Sequence, residues 1–451
     1  MSAAFVHLSD IHFGQERDSR IFVHDDVKER LIDDVRSVVA HLPSGHAAGI
    51  IVTGDIAYAG KKTEYDVAGT WLDNVAEAVG CRIYDIQMVP GNHDIDRDQM
   101  SGSMKLMLEK IADGGVSELD AFLADKRDRE TIFDRFSAYG AFSEGYRCPL
   151  DTMGCFATDC RVELAEGRAI RFIRINSALL CSGAETVAKP ELIFGARQYV
   201  IPRTAGEEMV ILCHHPLTWF KDTPDAIKYI RSRARIFISG HEHQPNVCVE
   251  QVEPGCELLM LAAGATVPPK SNDAYTYTYN VIEFDWDRDE DALAVTIHPR
   301  AWNPEATRFE DDPKRLGGQR PKFVLASPNF RAARNNAPAV PRDEPLAKTA
   351  PEVEASVEVV PAAGSEGEEA TQPMAEDNYP MVLLKFFREL TEGERLKILV
   401  QLDAISGELT EPLTQAVERR LFDHLVNKGR IEELDTMIGA VLTERAKGDA
   451  E

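Results

Sequence analysis

The sequence predicts an α/β domain followed by a small all-α bundle, and three observations carry that reading. Over residues 3–325 short apolar runs alternate with helix-like stretches, the pattern of strands and crossover helices. From about residue 326 to 377 periodicity gives way to a Pro- and acid-rich text, which reads as an extended or disordered linker. From about 381 to 445 helical periodicity returns. A chain of 451 residues also exceeds what one hydrophobic core usually organises. The expected domains are residues 1–328, a linker over 329–377 and a bundle over 378–447.

Strand candidates are 4–8, 49–53, 83–89, 169–175, 209–213, 236–239, 258–262, 279–284 and 292–298, each a short apolar or β-branched run. Helices are expected over 27–40 and 64–79, each a few residues beyond a motif-bearing loop. The segment of about 96–146 is rich in charge and helix formers and interrupts the strand rhythm; it reads as a helical insertion, a cap or lid beside a site. In the bundle, Thr391 and Glu394 have capping-box spacing. Leu396, Ile398, Leu399 and Leu402, then Leu413, Val417, Leu421 and Leu425, fit one face each.

Composition excludes several classes. The apolar fraction of 44% with 8% aromatics is that of a globular protein, and nowhere do 18 or more apolar residues run uninterrupted, so no membrane span is expected. The first residues lack a basic region ahead of an apolar one, so no signal peptide is expected either. None of the eight cysteines has CxxC spacing, and Cys148, Cys155 and Cys160 form the only cluster; reduced thiols in a cytoplasmic protein are the reading. A net charge of −25 disfavours nucleic acid as a partner. Part of it is local, since 349–377 holds eight acidic residues and no basic ones.

Chemistry gathers at strand ends. Asp10 and His12 follow the first strand, two apart. Asp55 follows the second behind Gly54, which permits the tight turn that exposes it. Asn92, His93 and Asp94 follow the third, His214-His215-Pro216 a later strand, and His241 and His243 the next. Two imidazoles at i and i+2 point the same way in an extended segment. Carboxylate, amide and imidazole together suit manganese, iron or zinc better than calcium.

Taken in order, these five elements (D-x-H, G-D, G-N-H-D, H and G-H-x-H) resemble the calcineurin-like metallophosphoesterase family over residues 3–325. The resemblance implies a four-layer α/β/β/α sandwich and two metal ions, Mn, Fe or Zn. It puts Asp10, His12 and His243 on one metal and Asn92, His214 and His241 on the other, with Asp55 bridging. It implies a bridging hydroxide that attacks phosphorus, His93 as the group that protonates or hydrogen-bonds the leaving oxygen, and Asp94 as the residue that orients His93. Asn92 and His93 would contact substrate.

The second motif continues Ile56-Ala57-Tyr58, without the arginine by which protein serine/threonine phosphatases clamp phosphate. Tyr58 has the spacing of the metal-binding tyrosine of purple acid phosphatases, but those lack the histidine present here as His12, so Tyr58 reads as packing or substrate-facing. His215 reads as a neighbour of a ligand. The remaining histidines, His7 among them, read as structural or exposed. The motif text is similar to bacterial cyclic-nucleotide phosphodiesterases, which implies a phosphodiesterase acting on a small (cyclic) nucleotide. A metal-dependent nuclease acting on DNA or RNA is the alternative, and a catalytically degenerate nucleotide-binding scaffold the second. The bundle resembles the helical adaptor modules of bacterial effector enzymes and would recruit a protein partner, dimerise the chain or pack back on the enzyme, the acidic linker holding it at a distance.

Overall fold

The protein is described from a computed structural model over residues 2–15, 21–158, 160–183, 192–253, 256–268, 276–336, 374–405 and 414–448. The strands are β1 (Ala3–Leu8), β2 (Gly49–Val52), β3 (Ile86–Met88), β4 (Arg161–Ala165), β5 (Arg168–Arg174), β6 (Glu207–Leu212), β7 (Ala234–Ser239), β8 (Asn246–Glu253), β9 (Cys256–Ala262), β10 (Thr278–Asp287), β11 (Ala292–Asn303), β12 (Arg308–Asp311) and β13 (Lys322–Leu325). The helices are α1 (Ile21–Ala40), α2 (Lys62–Val79), α3 (Gly102–Gly114), α4 (Val116–Ala124), α5 (Lys126–Phe133), α6 (Ser137–Gly145), α7 (Ala196–Tyr199), α8 (Thr223–Arg233), α9 (Pro328–Asn336), α10 (Met374–Leu384), α11 (Glu392–Gln401), α12 (Gln415–Asn427) and α13 (Ile431–Gly448).

Two mixed sheets stack face to face. The first has the order β12-β11-β10-β1-β2-β3, with β13 also on β11; the second runs β4-β5-β6-β7-β9-β8. Strands β1 to β3 are mutually parallel, as are β5, β6, β7 and β9. The alternation of side chains along each strand assigns the layers. From β1, Ala4, Val6 and Leu8 point to α1 and α2, where Leu31, Val35, Leu72 and Val75 meet them. Phe5 points the other way, into the space between the sheets, with Ile51, Phe172, Val210, Ile236 and Phe284. Phe5 contacts Phe172 and Phe284 edge-on at ring separations of 5.2 and 5.8 Å, a geometry that adds about 0.5–1.5 kcal/mol per pair beyond area burial. On the far side of the second sheet, Met209, Ile211 and Phe237 face a second helical layer. The result is the α/β/β/α sandwich that the family resemblance implies.

The insertion is helical as expected, but it is not spent on a lid. Met104, Leu108, Ile111, Leu119, Leu123 and Ile132 pack with Ile173, Ile211 and Phe237 in the outer layer of the second sheet. Tyr139 and Phe142 of α6 join the core beneath α2. The apolar face of those helices has a sheet to cover, so covering it takes precedence over capping a polar site. The expected linker also begins later than residue 329. Helix α9 occupies its first residues, with Phe330 fully buried between the sheets and Asn329 bonded to Glu207 and Glu208. Residues 337–373 lie outside the described residues.

The bundle forms its own core around Phe386, Phe387, Ile398, Leu399, Phe422, Leu425 and Leu434. The capping box is present: Thr391 N–H donates to Glu394 Oε2 at 2.7 Å and Glu394 N–H to Thr391 Oγ1 at 3.4 Å. Leu396 departs from its expected face at 39% exposure, because the buried stripe of α11 runs through Arg395, Ile398 and Leu399. Leu413 lies outside the described residues. Instead of standing off, the bundle packs on α2 and α6: Arg388 bonds Asp73 and Tyr146, and Gln415 donates to the Gly140 carbonyl at 2.8 Å.

Candidate metal centre

Parallel strands deliver their carboxyl ends to one sheet edge, where an open α/β sheet places its ligands. All five motifs follow such strand ends: β1, β2 and β3 from one sheet, β6 and β7 from the other. Cross-sheet bonds knit the two edges. His214 Nδ1 donates to the Thr53 carbonyl at 2.7 Å, His241 N–H to Asp10 Oδ2 at 3.1 Å, and Thr266 N–H to the Ser9 carbonyl at 2.8 Å.

The backbone itself is strained here. Asp10 (φ 53°), His12 (55°), Asp55 (53°), His241 (71°) and His243 (55°) all adopt left-handed conformations, each at a cost of about 1–2 kcal/mol for a residue with a Cβ. Such a concentration of outliers marks a site that the surrounding structure over-determines. Gly91 carries a steric demand of its own. A Cβ there would lie 2.1 Å from Asp55 Oδ1 and 2.5 Å from its backbone N. Gly91→Ala is expected to displace Asp55, cost about 1–3 kcal/mol and weaken binding of Mn²⁺; a melting curve and a Mn²⁺ titration of that variant check both effects.

Asp55 stands between two groups. Its Oδ1 accepts the His93 backbone N–H at 2.8 Å, while its Oδ2 lies 3.3 Å from His12 Nε2 and 3.4 Å from His214 Nε2. On one side, buried Asp10 Oδ1 faces His243 Nε2 at 3.1 Å. On the other, His214 Nε2 lies 3.1 Å from Asn92 Oδ1 and 3.2 Å from His241 Nδ1. All seven sequence-predicted ligands therefore converge. A donor shell about 2.1 Å from a cation puts adjacent donors about 3.0–3.4 Å apart, the spacing seen here, so the residues fit cations at these positions. Groups able to hold a cation among the described residues include Asp10 with His12 and His243, and Asp55 with Asp10 and His214.

The imidazoles are pre-set for that role. Nδ1 of His12 points at the Val267 carbonyl (3.4 Å), that of His214 at Thr53 and that of His93 at Tyr58 (2.7 Å). A ring whose Nδ1–H is held by a carbonyl presents an Nε2 lone pair inward. Burial opposes a charge on His214, yet Asp55 and Asp10 outweigh it and lift its pKa to about 9. Burial likewise works against ionised Asp55, and His214 and His12 overcome it, holding the carboxyl well below its usual range. Protons on histidines thus balance the buried carboxylates, and a cation would replace them.

Asp94 is placed differently from expectation, while His215 and His7 lie as expected, beside a ligand and in a structural role. Asp94 does not orient His93. Its carboxylate accepts the backbone N–H groups of Ile56, Ala57 and Gly91 (2.9–3.2 Å) and the Tyr65 hydroxyl (3.0 Å), tying the Asp55 loop to the Asn92 loop. Burial and the Asp55 charge push its pKa up to about 6. The His93 ring is oriented by the Tyr58 carbonyl, with the Tyr58 ring stacked on it at 5.2 Å. His215 sits against His241 at 4.4 Å, but its Nδ1 is bonded to Ser177 Oγ at 2.9 Å and its Nε2 lies 3.8 Å from Cys181 Sγ. His7 is buried and bonded to Thr53 Oγ1 at 3.0 Å. Sequence reading did not single out Ser9, whose hydroxyl donates to Asp10 Oδ2 at 2.5 Å, nor Tyr65. Ser9 adjoins Asp10 in the motif and was within reach; Tyr65 has no local signal.

Fold and site together define the class: a two-sheet α/β sandwich with candidate metal-ligating residues gathered at one edge. A family model for calcineurin-like phosphoesterases matches residues 3–245, more than half of the chain, and the chain belongs to that family. A second model, the GTPase-associated adaptor domain, matches residues 378–440. The chain is similar to an uncharacterised metallophosphoesterase-like protein, YydB, of Bacillus subtilis, at 23% identity over 315 residues, spanning 68% of this chain and 60% of that protein's length. Among solved structures it is similar to the purple acid phosphatase PPD1 of yellow lupin (10% identity, 76% of this chain and 57% of that one, TM-score 0.41). It is also similar to Vps29 of Entamoeba histolytica complexed with zinc (12% identity, 68% and 98%, TM-score 0.27). No helix among the described residues is long and apolar enough to cross a membrane.

Proposed function

We propose that this chain is a phosphodiesterase acting on a small, cyclic nucleotide, with two cations (Mn, Fe or Zn) held by Asp10, His12 and His243, by Asn92, His214 and His241, and by Asp55 between them. The observation that carries this reading is the position of Asp55 Oδ2, 3.3 and 3.4 Å from imidazole nitrogens of the two groups. Bound there, the cations would polarise the phosphoryl oxygens and make a water nucleophilic at neutral pH. The chain's own residues do the rest. The Asn92 amide and the His93 ring receive the phosphoryl group. His93, its Nδ1–H held by Tyr58, turns Nε2 toward the leaving oxygen, and in protonated form it donates there. Asp94 keeps the two loops in register through three backbone N–H groups.

A small nucleotide is favoured over DNA or RNA by the net charge of −25, which works against long-range attraction of a polyanion. The cysteines among the described residues are thiols rather than disulfides, which supports a cytoplasmic location. The adaptor module is the part of the chain for a protein partner. The test is a Mn²⁺-reconstituted sample offered bis(p-nitrophenyl) phosphate, p-nitrophenyl phosphate, cyclic AMP, and single- and double-stranded DNA. Hydrolysis of the first compound and of cyclic AMP is expected. Turnover of DNA alone would replace the reading by a nuclease, and silence throughout by a nucleotide-binding scaffold.

A further inference from the structure

The contact between bundle and enzyme ends on the same residues that brace the metal centre. Arg388 belongs to a π-helical segment, Lys385–Glu389, a rare geometry frequent at functional sites. Its Nη1 donates to both carboxylate oxygens of Asp73 in α2 (2.8 and 2.9 Å) and to the Tyr146 hydroxyl (2.9 Å). Close approach is built in, since a Cβ on Gly145 would lie 3.2 Å from Leu384 Cδ1 and 3.3 Å from Arg388 Cβ. Leu384 is buried in the α1–α2 core rather than in the bundle's own. From Tyr146 an aromatic column runs inward. Its ring meets Phe142 edge-on at 5.0 Å, Phe142 stacks on Tyr65 at 4.9 Å, and the Tyr65 hydroxyl donates to Asp94 Oδ1 at 3.0 Å and reaches the Asp94 carbonyl at 3.2 Å. Asp94 in turn holds the amides of Ile56, Ala57 and Gly91, on either side of the loops that carry Asp55, Asn92 and His93.

We infer that Arg388 of the C-terminal module is a positioning residue for the metal centre, acting through Tyr146, Phe142, Tyr65 and Asp94, so that the adaptor's docked state sets how firmly the two metal-bearing loops are held. The inference rests on the metal-site reading above and names a control built on that site. Contiguous packed side chains and hydrogen bonds can carry such coupling when both ends bias one element, here the pair of loops joined by Asp94. The docked face is not a sealed core: a cleft of about 940 Å³ borders it, lined among others by Tyr65, Phe142, Arg388 and Arg419. Beside that cleft the module is held by the buried Leu384 and by directional contacts from Arg388, Gln415 and Arg419.

The test uses the full chain stripped of metal, as wild type, Arg388→Ala, Arg388→Lys, Tyr65→Phe and the double variant Arg388→Ala/Tyr65→Phe. Mn²⁺ binding is measured by calorimetry without substrate, and amide hydrogen exchange is followed at Ile56, Ala57 and Gly91. Arg388→Ala and Tyr65→Phe are each expected to weaken Mn²⁺ about tenfold, the lower end of what loss of an outer-shell partner costs, and to speed exchange at those three amides. Lysine at 388 is expected to restore part of both. The double variant should be no worse than the poorer single one, because both cut one path. Wild-type exchange and Mn²⁺ affinity in Arg388→Ala, or additive losses in the double variant, would overturn the inference. A wild-type chain that takes up no Mn²⁺ would overturn the metal reading instead, and exchange at Ile56 and Ala57 would still decide whether the brace exists.

Discussion

Asp55→Asn is expected to abolish metal-dependent hydrolysis, with turnover down by about 10³-fold or more, on the order of 4 kcal/mol of transition-state stabilisation. The two side chains have the same shape, so the His93 N–H bond to the Oδ1 position can persist. What is lost is the charged Oδ2 that faces His12 and His214. The same change removes a buried carboxylate that His214 and His12 hold ionised well below its usual range, so the metal-free variant should melt lower than wild type. The two separate further on adding cation. A ligand at a hundred times its Kd stabilises by about 2.7 kcal/mol, hence several degrees of melting temperature for wild type and almost none for the variant. The binding is pH-linked with a definite sign. Uptake of a cation must displace the proton that His214 holds up to about pH 9, so Mn²⁺ affinity of wild type should rise between pH 7 and 9. A wild-type melting shift in Asp55→Asn, or unchanged turnover, would sink the bridging role.

His93→Ala should lower turnover of cyclic AMP by about 10²–10³-fold, the usual scale for loss of a positioned proton donor, while sparing bis(p-nitrophenyl) phosphate to within a few fold. The difference lies in the leaving group. A sugar alkoxide needs a proton as it departs, whereas p-nitrophenolate is stable near neutral pH. Burial lowers the pKa of His93, which makes its protonated form a ready donor. Geometry also allows a rival role, because His93 with His12 and Asp55 forms one of the groups able to hold a cation. Calorimetry separates the two roles: a proton donor leaves Mn²⁺ affinity unchanged, whereas a ligand takes it away together with turnover on both substrates.

The strands that were legible before the fold are those buried on both faces, such as 209–213 and 236–239, which run as continuous apolar text. The four missed, β4, β8, β12 and β13, lie at or near sheet margins and carry charge, as Arg161-Val-Glu and Arg308-Phe-Glu-Asp show. The insertion was legible as helix and not as to what it covers, since an amphipathic face states only that it must be buried. Asp94 was misassigned to its sequence neighbour His93 for a related reason. Its partners at Ile56, Ala57 and Tyr65 are about 30 to 40 residues away, and adjacency in the chain says nothing about where a carboxylate turns.

By itself the sequence determined the donor set, because the carboxylates, amide and imidazoles of Asp10, His12, Asp55, Asn92, His214, His241 and His243 are written just beyond strand ends. It determined the α/β class as well, because periodicity is local. The tertiary structure alone decided which nitrogen each imidazole turns inward, through carbonyls at Thr53, Tyr58 and Val267. It alone decided that the bundle rests on α2 and α6 through Arg388, Asp73 and Tyr146. Those are contacts between residues as many as 315 positions apart, fixed by packing and hydrogen-bond satisfaction, and no local pattern encodes them.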